Sequence, residues 1–118
     1  MTVTIIENVL TDKGSKYAVS GGIATSRQEA DRLLKELKRH KKFARATHHS
    51  WAVISTKEGA IKQDDGETGA GMVILRMLER EELSDHLVVV TRWYGGTKLG
   101  GDRFRHIQSC VRHYLASL

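Results

Sequence analysis

One short run, residues 87–90, constrains the fold more than any other part of the chain. Four consecutive apolar side chains (LVVV) are typical of a buried strand in the middle of a sheet. The strand HLVVVTRW is followed by glycines, which sets its end near Trp93. We therefore expect a central strand that is flanked by other strands on both edges and covered by helices on one face.

Further strands are predicted on the N-terminal side of this run. The stretches TVTIIENVL and SKYAVSGGIAT are rich in Val, Ile, Thr and Tyr, and the turn sequence TDKG separates them. They predict a β-hairpin. The stretch THHSWAVIST predicts another strand, and residues 60–63 continue its pairing after a turn at Gly59. The sheet should therefore contain four to five strands.

Three helices are predicted between and after these strands. Ser26 and Glu29 have the spacing of a capping box, and apolar residues follow at helical spacing until the basic string at residues 38–42. A second helix is predicted over residues 70–82 and a last one from about Asp102. The order β-β-α-β-β-α-β-α predicts an α+β fold, arranged as a two-layer α/β sandwich.

Length and composition favour a single domain over residues 1–118. The content of 40% hydrophobic and 28% charged residues is that of an ordinary globular protein. The chain shows no signal peptide and no apolar run of about 18 residues, which predicts a cytoplasmic location. Cys110 is the sole cysteine, so no intramolecular disulfide is expected.

The first candidate binding segment, DDGETGAG, places Asp64, Asp65 and Glu67 around Gly66 just before a predicted helix. Such a cluster can bind a hard cation. Acidic groups before a helix also cap its free N–H groups and complement its dipole, and this structural role is the favoured interpretation. The spacing differs from that of an EF-hand, so calcium binding is not predicted.

The second candidate segment, RWYGGTKLGGDR, lies where the central strand ends and the last helix begins. Its glycines allow backbone N–H groups to approach a ligand, and its basic side chains add positive charge. One interpretation is an anion-binding loop, and the other is a tight turn above packed aromatic rings. Neither a Walker A loop nor a dinucleotide fingerprint is present. The candidate binding residues are Arg92, Trp93, Tyr94, Gly95, Gly96, Lys98, Gly100, Asp102 and Arg103.

The six histidines raise the hypothesis of a metal site. His48 and His49 precede a predicted strand and are kept as candidate binding residues. On the last helix, His106 and His113 should face solvent, with Cys110 on the flank. This follows from a predicted buried stripe of Phe104, Ile107, Val111, Leu115 and Leu118. We therefore predict no metal site and no cofactor.

The sequence contains no nucleophile elbow, Cys–His pairing motif or His-Glu-x-x-His helix, which favours a non-enzymatic role. The net charge of +5 favours an anionic partner. An RNA- or phosphate-binding module is therefore an alternative, with contacts at Arg92, Lys98, Arg103 and residues 38–45. A hydrolase that uses the acidic cluster and His48 stays open as a third hypothesis.

Three blocks, ATHHSWAV, DDGETGAG and RWYGGTKLGGDRFRHI, resemble in order and spacing the conserved domain of the Impact and YigZ family. The resemblance covers nearly the whole chain, and RWYGGTKLGGDRF is closer to the eukaryotic Impact form. The resemblance implies a fold similar to the second domain of ribosomal protein S5. Impact proteins also carry an RWD domain and YigZ-type proteins a small C-terminal domain; neither is seen here, which predicts a stand-alone or truncated version.

The resemblance also implies a function in translation. Impact proteins regulate translation by competing for the ribosome-associated activator of a kinase that responds to amino-acid starvation, and they are not known as enzymes. The leading hypothesis is accordingly a non-enzymatic binding domain that contacts a protein of the translation machinery or the ribosome. We further predict that the two candidate segments meet, with Asp64, Asp65 or Glu67 close to Arg92 or Lys98, because their opposite charges attract.

Overall fold

The computed structural model describes residues 2–118, which form one five-stranded antiparallel sheet and four helices. The strands are β1 (Thr4–Asp12), β2 (Ser15–Ile23), β3 (His48–Ser55), β4 (Gly59–Gln63) and β5 (His86–Trp93). The helices are α1 (Arg27–Leu37), α2 (Lys41–Ala44), α3 (Ala70–Arg80) and α4 (Asp102–Ala116). The strand order β1-β2-β5-β3-β4 places β5 at the centre, and the predicted α+β class is confirmed.

The β1–β2 hairpin forms at the predicted turn. Asp12 pairs with Ser15, and Lys13 and Gly14 between them have φ angles of +47° and +83°. Two consecutive left-handed residues match the type I′ turn, whose twist suits paired strands. The turn touches the glycine-rich segment, because a Cβ added to Gly95 would overlap the backbone of Gly14. Glycine at position 95 is therefore needed for close approach.

The central strand β5 is covered by helices on both faces, which corrects the expectation of helices on one face. Successive side chains of a strand point to opposite faces, so an unbroken apolar run needs two apolar surroundings. Val88 and Val90 join one core cluster, whereas Leu87 and Val89 join the other. The run LVVV thus reflects burial on both sides of the sheet.

The two cores are built by different helices. Helices α3 and α4 cover one face with the larger cluster, and this side corresponds to the predicted two-layer sandwich. Helix α1 covers part of the other face with Ala30, Leu33, Leu34 and Leu37, joined there by Phe43 from α2. The edge of the sheet from which α3 and α4 begin is thereby packed between two apolar layers.

Helix α1 begins as predicted but ends earlier. The Ser26 hydroxyl accepts a hydrogen bond from the Glu29 N–H at 3.2 Å, as in a capping box. The Glu29 carboxylate bonds the N–H and hydroxyl of Thr25 at 2.6 and 2.7 Å instead of the Ser26 N–H. The helix ends at Leu37, and the basic string continues into the short helix α2, a fourth helix that was not predicted. The reason is Phe43, whose burial turns the chain back onto the sheet.

The buried stripe of α4 is rotated relative to the predicted one. Its core positions are Ile107, Cys110, Val111 and Tyr114, whereas Leu118 lies beyond the helix and is 64% exposed. His106 is not free in solvent: its Nε2 lies 2.8 Å from an Asp12 carboxylate oxygen, and its ring contacts Tyr17. The rotation arises because α4 packs on β1 and β2 as well as on α3.

Cys110 is fully buried in the larger core, which raises the pKa of its thiol to about 12. A protonated, enclosed thiol is neither a nucleophile nor a metal ligand. Among the described residues, no helix is both long enough and apolar enough to cross a membrane.

Candidate functional site

The acidic segment (residues 64–71) and the glycine-rich segment (residues 92–103) meet at one edge of the sheet, as predicted. The topology explains why they do so. Strands β4 and β5 are both antiparallel to β3, so they run in the same direction and end at the same edge. Helices α3 and α4 begin there, and the β1–β2 turn lies beside them because β2 is antiparallel to β5.

A buried ion pair joins the two segments. Arg92 Nη1 donates to Glu67 Oε1 at 2.9 Å, and the two side chains are only 6% and 2% exposed. Arg92 Nε and Nη2 also donate to the Ser15 hydroxyl at 3.4 and 3.2 Å. Buried charges require such complete pairing, because an unpaired partner left inside is strongly destabilising. This pair therefore fixes the two segments in place.

The other two carboxylates of the acidic segment bond backbone donors. The Asp64 carboxylate accepts hydrogen bonds from the N–H groups of Gly69 and Gly71 at 3.0 and 2.8 Å. These bonds lower the pKa of Asp64, and the bond from Gly69 has the larger effect. Asp65 accepts from the His49 N–H at 2.6 Å. The favoured capping interpretation is thus confirmed for Asp64, which caps the start of α3.

The two neighbouring histidines lie on opposite faces of β3. His48 lines the cleft described below, and its Nδ1 donates to the Asp65 carbonyl at 2.8 Å. Gly66 fits beside this ring, because an added Cβ would lie 3.2 Å from it. His49 is buried, with Nε2 donating to the Phe43 carbonyl at 2.8 Å and Nδ1 lying 2.9 Å from the Thr91 hydroxyl. Burial lowers the pKa of His49, so this residue is a neutral core histidine outside the cleft.

The adjacent aromatic residues are also separated. The Trp93 indole donates to the Lys42 carbonyl at 2.9 Å and packs edge-on against Phe43, on the α2 side of the sheet. Tyr94 is 46% exposed, and the Arg92 guanidinium lies 5.5 Å from its ring centroid. Tyr94 therefore belongs to the cleft, whereas Trp93 anchors the second core.

A cleft of about 420 Å³ opens above the buried ion pair. Its floor is Arg92, and its walls include exposed Lys98 and partly exposed Arg103. Within residues 2–118 neither wall cation forms an ion pair, and Arg103 Nε is buried without a hydrogen-bond partner. The other lining residues are His48, Tyr94, Leu99, Gly100, Gly101 and Phe104.

The loop above the cleft holds its shape through a few contacts. Gly95 N–H donates to the Ser15 hydroxyl at 3.1 Å, and Tyr94 N–H donates to Thr47 at 2.9 Å. Gly96 has a φ of +93°, which favours glycine, and open space surrounds it. Asp102 pairs with Arg105 at 3.1 Å and does not line the cleft.

Sequence reasoning missed several residues of the site. Ser15, Thr47 and Leu99 secure the loop. Ser15 and Thr47 come from segments with no binding signal of their own, whereas Leu99 lies within the glycine-rich segment but was not among the predicted binding residues. Ser15 follows the hairpin turn, and only the antiparallel pairing of β2 with β5 carries it to Arg92. Leu99 is 6% exposed and anchors the glycine-rich segment in the larger core. The apolar residue within a glycine-rich stretch was the available signal for Leu99.

The charged groups of the site differ in whether they are paired within the protein. The three carboxylates face an arginine or backbone donors, so none stands free beside His48 as a general base, which gives the hydrolase hypothesis no support. In the described part of the chain, no group of three or more His, Cys, Asp or Glu residues is placed to hold a metal ion. The cleft places Lys98 and Arg103 above Arg92, which Glu67 and Ser15 hold in position.

The fold and cleft define a small α+β domain with a cationic cleft at one edge of its sheet. A family model described as the Impact N-terminal domain matches residues 13–115. The chain therefore belongs to the Impact family, and the predicted resemblance is confirmed.

Relatives in animals support this assignment. The chain is 38% identical over 115 residues to the protein IMPACT homolog of Caenorhabditis elegans, covering 92% of this chain and 45% of that protein. It is 38% identical over 111 residues to protein IMPACT-B of Xenopus tropicalis, covering 90% and 35% of the two chains. The chain thus spans less than half the length of these relatives.

Two solved structures are similar. One is described as the two-domain translational regulator Yih1, with a TM-score of 0.56, 33% identity, and coverage of 96% of this chain and 44% of that one. The other is a crystal structure of a hypothetical protein, with a TM-score of 0.80 and 22% identity, covering 98% and 61%. The second likeness concerns the fold alone. The family is thus linked to the regulation of translation.

Proposed function

We propose that this domain is a non-enzymatic binding module of a translational regulator, and that the cleft above Arg92 binds carboxylates on a protein of the translation machinery. The observation that carries the proposal is the pair of wall cations, Lys98 and Arg103, which lack acidic partners within residues 2–118. The description of Yih1 as a translational regulator supports the cellular process. We place this binding in the cytoplasm, as the sequence predicts.

The geometry favours recognition of carboxylates for a simple reason. The acid nearest to the cleft floor, Glu67, is already paired with Arg92 and cannot neutralise the wall. An incoming carboxylate would therefore meet the exposed Lys98 ammonium and the partly exposed Arg103 side chain without competing with an internal acid. Because the Arg92 floor is buried and paired, this part of the cleft is already ordered before binding, which reduces the entropic penalty of association.

RNA is the second candidate partner, supported by the net charge of +5. The described part of the cleft exposes one large aromatic ring, that of Tyr94, since the Arg103 guanidinium already lies 4.8 Å from the Phe104 ring centroid. Proteins that bind single strands stack successive bases on several rings. The cleft therefore suits carboxylates better than bases.

An affinity pull-down followed by mass spectrometry tests the proposal, with the Lys98→Glu variant as a matched bait. We expect wild-type protein to recover translation-machinery proteins that persist after nuclease treatment and are depleted with the variant. Recovery that disappears with nuclease would favour RNA. Equal recovery by both baits would contradict the cleft as the binding site.

A further inference from the structure

A second concave surface lies between α3 and α4, adjacent to the cleft. This helical groove has a volume of about 370 Å³, with an apolar floor formed by Met72, Val73 and Phe104. Arg76 and Arg80 stand at its rim, together with Gln108. The groove touches the cleft at Phe104, which lines both.

The apolar floor combines a fixed part with an adaptable part. Val73 and Phe104 are half-buried and pack against the larger core, so their positions are set by the fold. Met72 is the adaptable part: its side chain is 37% exposed, and methionine is flexible enough to fit apolar groups of different shape. Single exposed apolar residues are ordinary on protein surfaces, but here three converge on one concavity, as in binding grooves.

The charge around the groove is one-sided. The lining of the groove contains two arginines, Arg76 and Arg80, and no acid, whereas the acids at the end of α3 (Glu79, Glu81 and Glu82) lie outside the lining. Arg76 lies 3.5 Å from Glu79, but both side chains are well exposed, and such a pair contributes little. Arg80 makes no ion pair within residues 2–118. A ligand with carboxylates flanking apolar groups would therefore complement this surface.

We propose that the helical groove docks a short segment of a partner protein that presents apolar side chains on one face and carboxylates beside them. An amphipathic helix meets this description, because its apolar residues recur on one side and fit a groove between helices. The arginines at the rim would select an acidic segment over a basic one. This surface extends the binding area beyond the cleft.

The groove and the cleft are separable. Lys98 lines the cleft alone, whereas Met72 and Arg80 line the groove alone. Variants at these positions therefore report on one surface at a time. The groove proposal can fail while the cleft proposal holds, and the reverse is equally true.

The test is a titration followed by amide chemical shifts on the whole chain. The probe is a synthetic peptide with leucines at helical spacing and glutamates at the remaining positions. Two control peptides replace all glutamates with lysine or all leucines with serine. We expect the acidic peptide to shift the amides of Met72, Val73 and Phe104, and each control peptide to bind at least about tenfold more weakly.

Variants then assign the contact to side chains. Met72→Glu should weaken binding of the acidic peptide at least about tenfold, whereas Ile23→Glu, an exposed apolar site at the opposite end of the sheet, should leave it unchanged. Arg80→Glu should also weaken binding of the acidic peptide, because it reverses a charge at the rim and keeps the apolar floor intact. Its matched control, Arg39→Glu, should leave this affinity unchanged. Lys98→Glu should change the affinity measured at the Met72 and Val73 amides by less than about twofold, because Lys98 lines only the cleft; binding of the glutamates to the cleft is followed separately, at the amides of residues 98–101.

Three results would overturn the proposal. They are an acidic peptide that shifts no groove amide, equally tight binding of the lysine peptide, and wild-type affinity in a folded Met72→Glu variant. A partner shown to bind only at the cleft, with groove variants unaffected, would leave the proposed function standing and remove this inference alone.

Discussion

The site has a buried lower half and an exposed upper half, and charged residues have different roles in the two. In the lower half, Arg92 and Glu67 are buried and paired, and Asp64 caps α3. In the upper half, Lys98 and Arg103 face the cleft without acidic partners among the described residues. The comparison shows that the buried charges of this site stabilise the fold, whereas the cations at its surface have no acidic partners among the described residues and remain free to contact a ligand.

Breaking the buried pair should have the largest effect on stability. Glu67→Leu leaves the Arg92 guanidinium buried without its carboxylate, and we expect a loss of about 3 to 5 kcal/mol in the free energy of unfolding. The measurement is urea denaturation followed by tryptophan fluorescence. The double variant Glu67→Leu with Arg92→Met should recover much of the loss, because it removes both charges. A loss below about 1 kcal/mol in the single variant would show that the pair does not lock the segments.

Removing the helix cap should have a smaller effect of the same kind. Asp64→Ala leaves the Gly69 and Gly71 N–H groups without their acceptor, and we expect a loss of about 1 to 2 kcal/mol. Asp102→Ala is the matched control, since Asp102 stands at the start of α4 but pairs with an exposed arginine. Equal losses of unfolding free energy in both variants would contradict the claim that Asp64 stabilises the fold more than a surface carboxylate does.

The cap and the pair also show how far the sequence predicts the site. The acidic segment before a helix indicated capping, and the opposite charges of the two segments indicated that they meet. The pairing of Arg92 with Glu67 in particular depends on β4 and β5 ending at one edge, which only the strand order determines. His48 and His49 looked equivalent in the sequence, but strand alternation sends them to opposite surroundings.

The fold was predicted best where local signals agree with packing. The hairpin turn, the start of α1 and the central strand all follow from short patterns. The second helical layer and the rotated face of α4 do not, since they arise from contacts between distant segments. Helix α2 is four residues long, too short for a periodic pattern, and depends on the burial of Phe43.

Acidification should destabilise the protein through two histidines, buried His49 and partly buried His86. Burial lowers the pKa of His49 below its ordinary value of about 6.5, so near neutrality the unfolded chain binds more protons than the folded one. Stability should therefore fall as the pH drops from about 7 through 6.5, until the folded-state pKa is passed. His86 contributes in the same direction. His49→Gln should flatten the slope of unfolding free energy against pH, whereas exposed His113→Gln should keep it; an unchanged slope in the first variant would contradict a neutral core histidine.

Metal removal should have the smallest effect. The carboxylates of the junction are taken up by protein donors, and Cys110 is enclosed. We expect the melting temperature to be the same with and without a strong chelator, measured by differential scanning fluorimetry. A drop of many degrees would reveal a structural metal and require a different account of the histidines.

The most direct test of the central claim measures folding and binding in one variant, Lys98→Glu with Arg103→Glu. We expect the unfolding free energy to change by about 0.5 kcal/mol per exposed substitution, with some additional loss from the Arg103 contact to Thr68. Binding to the translation-machinery partner recovered in the pull-down should weaken at least about tenfold, because attraction becomes repulsion. Wild-type affinity in this folded variant would contradict the claim that the unpaired cations of the cleft form the binding surface.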